Sequence, residues 1–541
     1  MKKSISVLLL LCVSTVFAEI KPPRLVVQLV VDQLRGDLIN QYHRKFGKDG
    51  FNYLLAHGLD YNNAHHPHAN TVTCVGHATI ATGSYPALHG IVNNDWYDKQ
   101  TQQSIYCVED KQSKILPTSR TKKELVGRSP RNLLASTLSD ELVLSQAGRA
   151  FAVSLKDRGA ITLAGHAGKA FWFDKENGGF VTSRHYYEAY PQWVNQWNKG
   201  YEAKNETWAL SNEAVNYHYA NAPTFKNRFP GFGREFPHHL GAPDSPTYYK
   251  FLSMTPIADE LTADFAIHLL CEEKLGASSD KTDYLAISFS AVDAIGHQFG
   301  PNSLESEDNL LRLDKTLAKL LAAIDKQVGL ENALIVLTAD HGVSDSPVYL
   351  AAHQIKENNS LKLPALQTLI EQTLAKRFQL PPESLQAISL PYIYLNHQLI
   401  NEHQLSVNEI STYLAETLRQ QAAIFQAYPM PLANTEHDWL SAKVDKMAFP
   451  NRSGDLYLVA PPYQALADKS EQRVAHGTPW QYDSYVPLLF VNPAFKAQRI
   501  SKIVSTTDIA PTLAAILAIK YPSAAVGQPL PEVMELFEAR T

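Results

Sequence analysis

Three apolar runs in this chain each lead into an aspartate or a histidine. Residues 25–31 (LVVQLVV) run directly into Asp32, residues 284–290 lead to Asp293 and His297, and residues 333–339 end in Asp340-His341-Gly342. Further runs occupy 150–155 and 486–491, and helical spacing recurs over 256–271 and 304–328. Near-continuous β-branched runs that alternate with helices predict a parallel sheet covered on both faces. The fold class expected is α/β, with a central, mostly parallel sheet flanked by helices. In such sheets the carboxyl edge of the strands carries the ligands. One Asp after one strand is ordinary turn chemistry. Three such endings in an alternating pattern point to a single polar cluster at that edge.

The chain has 541 residues, more than one simple core needs. Two stretches break the strand–helix rhythm and read as insertions, about 171–251, rich in Trp and Tyr, and about 347–468. The aromatics of the first are expected to form that insertion's own small core. A formal net charge of −5 gives no reason to expect a nucleic acid polymer or an anionic membrane as partner.

The N-terminus reads as an export signal over 1–18, leaving a mature catalytic domain over 19–541. Lys2-Lys3 form its positive region, residues 7–13 its apolar core and Val16-Phe17-Ala18 its cleavage site. Leu11 before Cys12 is too large for the usual lipid-attachment signal, so no membrane anchor is expected. The compact signal suggests a bacterial periplasm, and a monomer is the default expectation. Of the mature cysteines, Cys74 reads as a small buried side chain, with Cys107 and Cys271 left as a candidate pair.

Residues 70–83 (NTVTCVGHATIATG) have a polar front and a back that reads as a short helix closed by Gly83 and Pro86. A hydroxyl at Thr73 then sits at a helix start, where unpaired N–H groups and the dipole favour an anion. Thr is also a common helix cap, the plainer reading. As a nucleophile it needs a base or a metal to ionise it. Asn94 can offer an amide N–H to an anionic oxygen. Lys156 and Arg158, two apart after a strand, could face one side as a cationic pair or form a solvated charged loop. The turn His65-His66-Pro67-His68 is too tight for a tetrahedral site, and its imidazoles are expected to orient neighbours or to be exposed. His476 comes from a loop. Mixed carboxylates and imidazoles suit Zn²⁺ with open coordination.

Thr73-Cys74-Val75-Gly76-His77 with its following Thr-Gly, His89-Gly90-Ile91, Asp293-x-x-Gly296-His297, Asp340-His341-Gly342 and His476-Gly477, in this order, resemble the type I phosphodiesterase/nucleotide pyrophosphatase branch of the alkaline phosphatase superfamily. Within that branch the chain looks most like the PafA-type periplasmic alkaline phosphatases. The resemblance implies an alkaline-phosphatase-like fold and two Zn²⁺, one held by Asp32, Asp340, His341 and the Thr73 oxygen, the other by Asp293, His297 and His476. It implies catalytic roles for Thr73, as nucleophile of a phospho-threonine intermediate, and for Asn94, Lys156 and Arg158. The expected substrates are small phosphate monoesters. A nucleotide pyrophosphatase or phosphodiesterase with the same site is the alternative, and a non-catalytic exported binding protein a more distant one.

Overall fold

The computed structural model describes residues 22–121, 125–222, 231–355, 361–433, 438–464, 466, 474 and 476–538. The export signal expected over 1–18 lies outside them.

Among the described residues nine strands form the main sheet: β1 (Leu25–Val31), β2 (Gly58–Tyr61), β3 (Ala150–Ser154), β4 (Lys169–Phe173), β5 (Phe180–Val181), β6 (Asp283–Phe289), β7 (Ala333–Thr338), β8 (Leu488–Val491) and β9 (Gln498–Ile500). Their order is β9-β2-β8-β7-β1-β6-β3-β4-β5. β1 is central and parallel to both neighbours, Leu25 facing Asp283 of β6 and Ala333 of β7. β3 and β4 continue the parallel set. β8 joins antiparallel to β7, and β5 antiparallel to β4.

β1 shows why the run is apolar throughout. Leu25, Val27, Leu29 and Val31 enter one core, and Val26 and Val30 enter the other. Side chains alternate along a strand, so a sheet covered on both faces has no solvent-facing positions to leave polar. The exception, Gln28, is buried and accepts a hydrogen bond from the Tyr284 hydroxyl.

Five helices matter for the site: α1 (Thr73–Thr82), α2 (Asp157–Ala164), α3 (Ile257–Glu272), α4 (Ala291–Phe299) and α5 (Leu304–Val328). α5 buries Leu310, Leu313, Leu317, Leu320, Ile324 and Val328, a stripe with three- and four-residue spacing, into the first core with α3. α1 and α2 pack in the second core. Gly83 ends α1 in the left-handed region at φ 63°, where glycine carries no Cβ penalty.

The aromatics after residue 171 depart from expectation. Phe171 to Phe173 belong to β4 of the main sheet, and Trp193, Trp208, Phe232 and Phe251 join the first core. Because β4 and β5 lengthen the sheet, this segment continues an existing apolar face. Phe265 of α3 stacks on Phe180 of β5, 4.0 Å between ring centroids. Between residues 385 and 459 a separate four-stranded sheet has its own core around Ile393, Leu414 and Leu458. Among the described residues no helix is long and apolar enough to cross a membrane.

The cysteine expectation is corrected. Cys74 bonds to Cys107, and Cys271 is free and exposed. The hairpin of Asp95–Asp98 and Gln103–Tyr106 folds back so that the Cys107 N–H donates to the Asn94 carbonyl, bringing Cys107 to the start of α1. Cys271 sits in the last turn of α3.

Candidate active site

The carboxyl ends of β7, β1, β6 and β3 converge with the N-terminus of α1. Asp32 follows β1, and its N–H donates to the Phe289 carbonyl at the end of β6. Asp340 follows β7, Asp293 and His297 lie on α4, and His476 arrives from a loop. Two groups result, Asp32 with Asp340 and His341, and Asp293 with His297 and His476, the ligand atoms of each lying within 4.8 Å of one another. The groups adjoin, since His341 stacks on His476 with centroids 3.6 Å apart.

The donor set fits metal cations. Nδ1 of His341 bonds the Gly342 carbonyl, that of His297 the Val474 carbonyl and that of His476 the Thr71 carbonyl. Each contact assigns the proton to Nδ1 and turns the Nε2 lone pair towards the cluster, the usual outer support of a metal-binding imidazole. Among the described residues, Asp32 Oδ1 and His341 Nε2 are buried without a hydrogen-bond partner, a costly arrangement unless a cation is meant to meet them. Burial, outweighing the opposing Asp340 charge, pushes the His341 imidazole down to about 3, so it is the neutral form a metal needs. Burial and the charges of Asp340 and Asp293 push the Asp32 carboxyl well above its ordinary range. Burial opposes ionisation of Asp293, but the neighbouring His297 imidazole and the Lys156 cation outweigh it and hold the carboxyl well below that range.

Thr73 is the first residue of α1, with Val72 in the cap position, and Val72 makes no side-chain capping hydrogen bond. The Thr73 hydroxyl is therefore not spent on a cap. Gly76 lets α1 lie against the sheet edge, for a Cβ there would meet the Asp340 carbonyl oxygen at 2.0 Å. The Cys74 N–H donates to Asn94 Oδ1 at 2.9 Å, which turns the Asn94 amide nitrogen away from the helix backbone.

Lys156 and Arg158 do not lie on an extended chain as the spacing suggested. β3 stops at Ser154, Lys156 caps α2 and Arg158 is the second helical residue. They converge nonetheless. Lys156 Nζ lies 2.5 Å from Asp32 Oδ2 and 2.5 Å from Asp293 Oδ2, touching one carboxylate of each group. Arg158 Nη2 donates to Thr73 Oγ1 at 3.3 Å. Lys156 is buried, which excludes the solvated loop. A cavity of about 260 Å³ opens beside both cations, walled by Leu155, Trp172 and Phe173.

Several further residues support the site, none of them assigned a specific role in it from the sequence. His77 lies one turn after Thr73, with Nδ1 2.9 Å from the Thr73 carbonyl and 3.1 Å from Asp340 Oδ2, while Nε2 meets Ser288 Oγ at 2.8 Å. Its four-residue spacing from Thr73 was the available signal. The Tyr106 hydroxyl donates to Asp157 Oδ1 at 2.6 Å and accepts from Arg158 Nη1 at 3.4 Å, steadying the guanidinium. His66 and His68 are buried outside both groups, His66 Nε2 3.0 Å from the Ala339 carbonyl beside Asp340.

Comparison with known proteins agrees with this geometry. The type I phosphodiesterase / nucleotide pyrophosphatase family profile matches residues 26–482. Alkaline phosphatase PafA of Elizabethkingia meningoseptica is 33% identical over 533 residues, covering 95% of this chain and 94% of that protein. Alkaline phosphatase PhoV of Synechococcus elongatus is 32% identical over 531 residues, with 95% and 93% covered. A crystal structure of wild-type PafA superposes with a TM-score of 0.83 at 31% identity, over 95% of this chain and 99% of that one. Murine ectonucleotide pyrophosphatase / phosphodiesterase 5, at 15% identity and a TM-score of 0.52, shares the fold over 92% of this chain. With a profile match across most of its length and relatives this similar from end to end, the chain belongs to the type I phosphodiesterase / nucleotide pyrophosphatase family.

Proposed function

We propose that this protein is an alkaline phosphatase that hydrolyses small phosphate monoesters through a phospho-threonine on Thr73. The observation that carries the reading is the cationic pair at the nucleophile, Arg158 on the Thr73 hydroxyl and Lys156 between Asp32 and Asp293. Asp32, Asp340, His341 and the Thr73 oxygen would hold one Zn²⁺, and Asp293, His297 and His476 a second. Such ions, when bound, lower the pKa of a ligated hydroxyl and neutralise charge on the entering and leaving oxygens of an in-line displacement.

The chain's own groups do the rest. The Thr73 oxygen attacks phosphorus, the ester oxygen leaves with its electron pair, and the phosphoryl group is now on Thr73. Water then attacks phosphorus, phosphate departs and the Thr73 hydroxyl is restored. The start of α1 favours both the alkoxide and the phosphoryl group. Arg158, Lys156 and the Asn94 amide nitrogen hold the non-bridging oxygens, where charge-assisted contacts are strongest. A monoester dianion carries one more negative charge than a diester, so two cations favour the monoester transition state. The Cys74–Cys107 bond fits an oxidising compartment, which supports export through the leader at 1–18 and a periplasmic location for the catalytic domain over 19–541.

Kinetics of the zinc-reconstituted protein on an aryl phosphate monoester and the matching diester test this. A kcat/KM strongly in favour of the monoester is expected. A diester preference would turn the reading to a phosphodiesterase with the same site, and protein that binds no zinc would turn it to a non-catalytic binding protein.

A further inference from the structure

Gln33 directly follows Asp32, is buried, and has a φ of 70°, in the left-handed region that a residue with a Cβ seldom occupies. Such a conformation persists when surrounding contacts demand it, and here they are specific. The Gln33 backbone N–H donates to Asp340 Oδ1 at 3.2 Å. Its side-chain Nε2 donates to Asp293 Oδ1 at 2.8 Å. One residue thus holds a carboxylate in each of the two groups and is covalently joined to a third, Asp32.

The opposite wall is shaped around it. A Cβ on Gly296 would lie 1.9 Å from Gln33 Oε1. Gly296 is three residues after Asp293 on α4, so the glycine of Asp293-x-x-Gly296-His297 leaves room for the Gln33 amide where it reaches the carboxylate. With Lys156 on Asp293 Oδ2 and Gln33 on Oδ1, both oxygens of that carboxylate are oriented before a cation arrives. A neutral donor suits the position, because it orients the carboxylate without competing for its charge.

We infer that Gln33 is a positioning residue that sets the geometry of the Asp293 group against the Asp32 group, and that Gly296 is glycine to admit it. The inference rests on the two-cation reading above. Outer-shell donors of this kind typically contribute about 10–100-fold to metal affinity. Gln33→Met keeps an unbranched chain of similar length and the backbone donor but removes the side-chain donor. It should weaken one of the two zinc ions about 10–100-fold in a competition titration against a chelator, with the other little changed. Gly296→Ala should give a similar loss. In a Gln33→Ala background, however, Gly296→Ala should add less than about twofold, as expected of two changes acting on one contact.

The experiment is zinc titration of the full-length protein and its variants, with circular dichroism and thermal unfolding alongside. Wild type that binds fewer than two ions overturns the two-cation reading itself. Wild type that binds two, with Gln33→Met at wild-type affinity for both, overturns the role of Gln33. Full additivity of Gly296→Ala with Gln33→Ala overturns the account of the glycine. Should Gln33→Met fail to fold, the titration of Gln33→Ala and the double variant decides in the same way.

Discussion

Arg158 Nη2 lies 3.3 Å from the hydroxyl oxygen of Thr73, and the same guanidinium is steadied by the Tyr106 hydroxyl. A planar fork so placed can reach both Thr73, the proposed nucleophile, and the oxygens of a phosphoryl group arriving there. Arg158→Ala should lower kcat/KM for an aryl phosphate monoester by about 10²–10³, the scale of losing one donor to developing charge. The matching diester should lose distinctly less. Steady-state kinetics on both substrates checks this, and equal losses would remove Arg158 from monoester recognition. Tyr106→Phe should show the same selectivity in weaker form, because it loosens the guanidinium and leaves its charge in place.

Asp32, Asp340 and His341 were legible because they come at or just after the end of a buried strand, where chain direction alone puts a side chain at the carboxyl edge. Asp293 and His297 were legible because they come after another such strand, but the helix α4 that puts them four residues apart on one face was not. His476 has neither support and stood out by motif alone. Lys156 and Arg158 were visible as charges, but the helix start that joins them was not. The pairing of Cys74 with Cys107 depends on a hairpin folding back, and separation along the chain does not encode that. Gln33 was hidden for a related reason, since a glutamine in the left-handed region is set by tertiary contacts that no local propensity records.

Lys156 compensates two buried carboxylates that a metal would otherwise share, which couples its effect on stability to metal binding. In chelator-treated protein, Lys156→Met leaves Asp32 and Asp293 facing each other without a cation. Breaking a buried pair from one side commonly costs about 3–5 kcal/mol. With saturating zinc the same substitution should cost clearly less, because the bound cations take over the compensation. Thermal unfolding of wild type and variant, each with zinc and with chelator, measures the difference. An equal cost in both conditions would place the role of Lys156 in packing alone.

The disulfide ties the second residue of α1 to the hairpin that carries Asn94 and Tyr106. Cys107→Ser should therefore act on function as well as on stability. Closing the intervening loop, with 33 residues of sequence separation, contributes about 3–4 kcal/mol on the loop-entropy estimate. Asn94 accepts from the start of α1 and Tyr106 steadies Arg158, so under the proposed phosphatase reading the variant should also show a raised KM for the monoester. Reduction of the wild-type protein should reproduce both effects, and Cys271→Ser should produce neither. A Cys107→Ser variant that unfolds earlier yet keeps its KM would confine the disulfide to stability.

Away from the site, Asp140 accepts hydrogen bonds from the backbone N–H groups of Thr137, His166 and Ala167 and from the His166 ring. The hydrogen bond and charge of Asp140 raise the His166 pKa above its ordinary 6.5. Burial opposes ionisation of Asp140, but these contacts together hold its pKa below 3.8. The signs follow from linkage. A histidine whose folded pKa is raised contributes stability that is complete below its unfolded pKa and lost as pH rises through the folded one. His166→Ala should thus be most costly at about pH 6, where both partners are charged, and less costly at alkaline pH, where only the neutral hydrogen bond remains. The ring is part-exposed, so solvent screening keeps the pH-dependent part small. Urea unfolding of wild type and variant at pH 6 and pH 9 gives the comparison. A cost that does not change between pH 6 and pH 9 would mean that the pair holds as a neutral hydrogen bond throughout and that its charge adds nothing to the fold.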